Sequence, residues 1–172
     1  ILKIKNKKIE NIIDNFLIYL FLYNEDYLGN LNGLLKIKFD ELNNKLIKNG
    51  EINLIVNEQK INFKEAYFQL DKVGEISSSI SFLEKKEEIK FISKNELIIK
   101  NHIEFAKIFQ VGSKKIKNIK KIYFDLEKSV GSNDFILKNI KLNDVSNDRK
   151  SNEIFIVRNI QNLRSNIRKI LD

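Results

Sequence analysis

The chain has no Cys, Pro, Trp or Met, and a single His among its 172 residues. Without Cys there is no disulfide framework, no thiolate nucleophile and no Cys-based zinc site, and the redox compartment leaves no trace in the sequence. His102 is the sole imidazole, and apart from Glu104, which a capping role explains, no motif-spaced partner stands near it to complete a metal site or orient a general base. No apolar run reaches the roughly 20 residues that a bilayer-spanning helix requires. Ala occurs only twice and Arg four times, whereas Ile, Lys and Asn make up close to half of the chain. Those three have A/T-rich codons, so mutational bias accounts for much of the composition. The chain opens on Ile1 and lacks Met, and it reads as a segment of a longer polypeptide.

What is present is enough apolar material for one domain, at 42% of residues, and charge of both signs. The net charge is +8 and the pI about 9.4. Clustered Lys and Arg concentrate polyanions. Here the lysines lie along almost every segment and interleave with 23 acidic residues, the pattern of solvated strand faces. The densest cluster, Lys114, Lys115, Lys117, Lys120 and Lys121, falls in a turn before a strand.

Apolar spacing divides the chain. Ile9, Ile12, Ile13, Phe16, Leu17 and Leu20 recur at helical intervals and predict a helix over 8–23. From Gly33 the period becomes two: Leu35, Ile37 and Phe39 alternate with lysines. Asn49-Gly50 reads as a turn. Strands then carry Ile52, Leu54 and Val56; Ile61 and Phe63; Phe68 and Leu70. Gly74 precedes the clearest of them, with Ile76, Ser78, Ile80 and Phe82 on one face. Ile89 and Phe91 follow the turn at Glu84–Glu88, and Leu97 to Ile99 come next. Asn101 is placed to N-cap a short helix ending at Phe109, with Glu104 as capping-box partner. Further strands carry Ile122, Phe124 and Leu126; then Phe135, Leu137, Ile140 and Leu142; and last Ile154 and Ile156. Ile160, Leu163, Ile167, Ile170 and Leu171 return to helical spacing beside Arg158, Arg164, Arg168 and Lys169, giving a basic face opposite an apolar stripe.

The expected fold is therefore mainly β with some α: an antiparallel sheet, open and able to curve, with an N-terminal helix, a short middle helix and a C-terminal amphipathic helix. The expected division is a helical segment over 1–30, a β-rich domain over 31–157 and an amphipathic helix over 158–172. No catalytic motif is visible. The carboxylate pairs Glu25-Asp26, Asp40-Glu41 and Glu87-Glu88 sit at turns, and no glycine-rich phosphate loop or nucleophile elbow occurs. The constellation that remains is a continuous apolar sheet face, which is core if closed and an acyl-chain groove if open.

The stretch from Asn32-Gly33 through Phe63-Lys64-Glu65-Ala66-Tyr67-Phe68, with the sequel Val73-Gly74-Glu75-Ile76-Ser77-Ser78, resembles the C-terminal region of AsmA-like proteins of Gram-negative bacteria. So do Ile103 to Val111 and the terminal Leu163 to Lys169; the resemblance covers residues 30–172. It implies a non-enzymatic protein without cofactor or metal, anchored in the inner membrane and reaching into the periplasm. There an apolar sheet face would support phospholipid transport or outer-membrane homeostasis. On that reading Ile76, Ile80, Phe82, Ile89 and Phe91 face lipid, while Arg158, Arg164, Arg168 and Lys169 contact the membrane. The expected partners are phospholipid or a membrane surface and the remainder of the polypeptide, not nucleic acid. The alternatives are a basic polyanion-binding module and a plain scaffold with a closed core.

Overall fold

The computed structural model describes residues 2–4, 32–39, 46–57, 60–85, 88–129, 132–143 and 153–171. They form one open nine-stranded sheet whose spatial order is the sequence order. The strands are β1 (Leu2–Ile4), β2 (Gly33–Phe39), β3 (Asn49–Asn57), β4 (Lys60–Leu70), β5 (Gly74–Lys85), β6 (Glu88–Ile99), β7 (Lys121–Ser129), β8 (Phe135–Leu142) and β9 (Phe155–Val157). From β2 to β9 every neighbour is antiparallel, and β1 joins β2 in parallel. The helices are α1 (His102–Phe109), α2 (Ser113–Ile116) and α3 (Ile160–Leu171). The fold is thus mainly β and antiparallel, as the alternation predicts. The helix expected over 8–23 lies outside the described residues.

Leu2–Ile4 supplies a strand, so the first 30 residues are not a purely helical segment. Helix α3 adds Ile170 to the largest core cluster, with Leu163, Ile167 and Leu171 packed against it, so its apolar stripe docks on the sheet.

Within the strands, bulges reconcile spacing that period two alone does not explain. Leu54 pairs with Phe63 but Asn53 pairs with Glu65, so Lys64 is an extra residue in β4. The bulge puts Phe63 and Ala66, three apart, on the same apolar face, and the two short strands expected there are one. A second bulge lies in β8, where Tyr123 pairs with Lys141 and Asp125 with Lys138. Asn139 adopts φ 54° there, a left-handed conformation that Asn tolerates better than most residues. Leu137 and Ile140 consequently share the buried face.

Asn49-Gly50 is not a turn. Both residues are paired within β3, and the glycine is there for close approach: a Cβ on Gly50 would lie 2.5 Å from the Phe68 ring. The last strand is also phased opposite to expectation. Phe155 is buried, whereas Ile154 and Ile156 are 66% and 51% exposed. The pairing Leu137↔Phe155 puts the larger aromatic surface on the core side, where it contributes more burial.

Asn101 caps α1 as predicted, its Oδ1 accepting from the N–H groups of Ile103 and Glu104. The capping-box return from Glu104 is not used. The Asn101 N–H donates instead to the Val73 carbonyl, as does Lys100 N–H, which locks the β4–β5 turn to the start of the helix. The four-residue helix α2, which sequence spacing read as a turn, buries Ile116 completely.

The apolar face holds two buried clusters that meet along β4, where Phe68 is paired with Ile76. One core cluster lies under the helices (Leu97, Phe105, Phe109, Ile122, Leu137 and others) and a second towards β2–β4 (Ile37, Ile52, Leu54, Ala66, Ile80). On β5 and β6 a buried polar belt separates them. Ser78 Oγ donates to Asn95 Oδ1 at 2.6 Å, and Asn95 Nδ2 donates to the Ser93 carbonyl and Oγ and to the Phe124 carbonyl. With its hydrogen bonds made, the belt avoids the penalty of buried unpaired polar groups.

Candidate functional site

The helices close over one half of the apolar face without filling it. Between α3 and strands β5 to β8 lies a cavity of about 210 Å³ whose wall exposes no polar atom. Its sheet side is formed by Ile76, Leu97, Ile122, Phe124 and Leu137, and its helix side by Leu163, Ile167 and Ile170. It is larger than the ~150 Å³ engineered apolar cavity that stays dry yet admits benzene. A space of this lining rejects polar ligands and water, because nothing in it can replace their hydrogen bonds.

Helix α3 is held over the cavity by polar contacts at its start and middle. Asn159 Oδ1 accepts from the Asn162 N–H, capping the first turn. Asn166 Nδ2 donates to the Ile156 carbonyl at 3.0 Å, and Arg164 Nε to the Ile108 carbonyl at 2.7 Å. Arg158, just before the helix, makes a bidentate pair with Asp134, and this pair raises its pKa.

The opposite face of the sheet is polar. It bends into an open trough of about 1,200 Å³ reaching from β3 to β8. Cross-strand register aligns Glu51, Tyr67, Ser77, Glu96, Tyr123 and Lys141 in one row, with the small serines of β5 leaving the middle hollow. Its charges are matched locally. Lys36 holds Glu51 below the usual carboxylate range, with burial opposing and Asn53 and Lys38 assisting. Lys100, and then Tyr67 through a 2.6 Å hydrogen bond, lower Glu75, while Glu75 raises Tyr67. Glu96 and then Tyr123 push Lys121 up to about 12. Asn53 Oδ1 is buried here without a hydrogen-bond partner.

Of the residues expected to face lipid, Ile76 lines the cavity. Ile80 is buried in the second cluster, and Phe91 packs against that cluster. The backbones of Phe82 and Phe91 are paired, as are those of Glu84 and Ile89. Ile76 therefore belongs with the first cluster, and Ile80 and Phe91 with the second. Of the expected membrane-contact residues, Arg168 and Lys169 are exposed on α3, whereas Arg158 and Arg164 are turned to Asp134 and Ile108. His102 Nε2 donates to the Ile119 carbonyl at 3.0 Å, a structural tether between α1 and the approach to β7. Spacing alone missed the helix-side wall of the cavity. Leu163 and Ile167 were legible as an apolar stripe, but not what the stripe would cover.

Among the described residues no group of three or more His, Cys, Asp or Glu side chains could hold a metal ion. No helix among them is long and apolar enough to cross a membrane. No protein-family model, curated protein or solved structure matches the chain.

Proposed function

We propose that this chain is a non-enzymatic lipid-handling domain of the cell envelope, of the AsmA-like kind its sequence resembles, which holds part of an acyl chain between its sheet and its C-terminal helix. The observation that carries the reading is the wholly apolar cavity beneath α3. An acyl segment there would gain on the order of 0.8 kcal/mol for each methylene removed from water. Ile76 is the residue that links this cavity to the lipid face read from the sequence. A role in phospholipid transport or outer-membrane homeostasis follows from the resemblance and from this apolar space together.

The test is capture of a photoactivatable fatty acid, with crosslinked peptides identified by mass spectrometry. Crosslinks in β6–β8 and α3 support the reading. Leu163→Trp, which fills the cavity from the helix side, should cut capture at least tenfold in a protein that still folds, and Ile167→Phe should act likewise. Undiminished capture in both folded variants would show that the cavity is a packing defect of a scaffold domain.

A further inference from the structure

The helical layer carries the net charge of the whole molecule. Residues 100–120 and 160–171 contain nine Lys and Arg against one acid, Glu104, a surplus equal to the +8 of the chain. The remaining residues balance to zero, and on the sheet that balance is visible as local pairs such as Lys36–Glu51, Lys121–Glu96 and Lys138–Glu127.

The layer is also one connected surface. Helix α1 contacts both α2 and α3, and Phe105, Phe109, Ile116 and Ile170 bury their side chains in the shared core. The opposite sides of these helices face solvent. Lys100 and Arg164 are turned to Glu75 and the Ile108 carbonyl, while Lys107, Lys114, Lys117, Lys120, Arg168 and Lys169 are exposed. Among them stands Ile103, at 74% the most exposed large apolar side chain of the described residues. It lies one turn before Lys107 on the outward side of α1, where residues four apart are neighbours.

We infer that this helical layer docks on an anionic membrane surface, its lysines over lipid phosphates and Ile103 inserted among the headgroups. The partner follows from the chemistry. A dense positive surface needs an anionic partner, and an exposed isoleucine beside Lys107 needs a partially apolar one, which a lipid interface supplies. A nucleic acid would instead favour exposed aromatics for stacking, but both aromatics of the layer, Phe105 and Phe109, are buried. The inference deepens the proposed function and rests on it for one point: the acyl cavity lies directly beneath the same layer, so docking would bring lipid to it.

The experiment is co-sedimentation of the full chain with vesicles of phosphatidylcholine alone or with about a third phosphatidylglycerol, at low and high salt. Binding is expected only to the anionic vesicles and should weaken as salt rises. Combined Lys107→Glu, Lys114→Glu and Lys117→Glu should weaken it at least about a hundredfold, since each basic residue near such a surface is worth roughly fivefold. Ile103→Ser should weaken it about tenfold. The sheet-face pair Lys94→Glu with Lys141→Glu, which makes two of the same charge reversals elsewhere, should leave binding within about twofold. Unchanged melting temperatures would exclude misfolding as the cause. Equal binding to neutral vesicles, full binding by Ile103→Ser, or displacement from vesicles by a short single-stranded oligonucleotide would each overturn the inference. Wild-type fatty-acid capture without vesicle binding would also overturn it. If the cavity reading alone were wrong, capture would fail while vesicle binding and its lysine dependence persisted.

Discussion

Arg164 on α3 reaches 2.7 Å from the Ile108 carbonyl on α1, joining two helices 56 residues apart in sequence. The bond sits where helix α1 has begun to run out of internal partners for its carbonyls, so a cationic donor is favoured there. It also fixes the helix that roofs the apolar cavity.

Arg164→Ala should therefore lower stability by about 1.5–3 kcal/mol, the range for a hydrogen bond with one charged partner. Hydrogen exchange should rise selectively in α3. Uniform exchange across the sheet and helix would mean that the contact does not hold the roof. Arg164→Lys should recover part of the loss, because one donor remains.

A methyl group at Gly50 would lie 2.5 Å from the Phe68 ring and 3.0 Å from the Tyr67 carbonyl oxygen. Gly50→Ala should cost about 1–3 kcal/mol, as overpacking does. Phe68→Leu in the same chain should relieve the clash, so the two changes together should cost less than their sum. Additive losses in thermal or denaturant unfolding would refute the close-approach role.

Ile80 is 7% exposed, within the cluster of Ile37, Ile52, Leu54 and Ala66. Ile80→Glu should bury an unpaired charge and destabilise by several kcal/mol, comparable with a domain's whole stability. A folded Ile80→Glu protein, judged by its melting transition, would show that this half of the sheet opens to solvent. Fatty-acid capture should persist in Ile80→Ala, because the cavity lies beyond the Ser78–Asn95 belt.

Glu51 and Glu75 both have folded pKa values below the ordinary 4.5. Each therefore contributes stability that is fully present above that value and is lost as pH falls through the folded pKa. Melting temperature should hold from neutral pH down to about 5 and then decline. Glu75→Gln should flatten part of the decline, and an unaltered acid profile would show that the Lys100 and Tyr67 contacts do not couple to folding.

The sequence by itself determined the segments and their kind, because alternation and helical spacing are local properties. Ile76, Ser78 and Ile80 share a strand face whatever lies opposite, and Asn101 caps its helix through groups two and three residues on. Tertiary structure decided everything that depends on a cross-strand partner. Lys64 and Asn139 mark phase slips that appear only once β4 and β8 are paired with their neighbours, and Phe155 wins the core side over Ile154 and Ile156 through its pairing with Leu137. Gly50 looked like a turn because the Phe68 ring that excludes a side chain there lies 18 residues away. The polar interruption of the apolar face on β5 and β6 was not legible because Ser78, Ser93 and Asn95 meet only in register. The basic surplus is already local in the sequence, confined to 100–120 and 160–171. Folding brings those two segments together as one layer and sets lysines of the sheet beside their carboxylates.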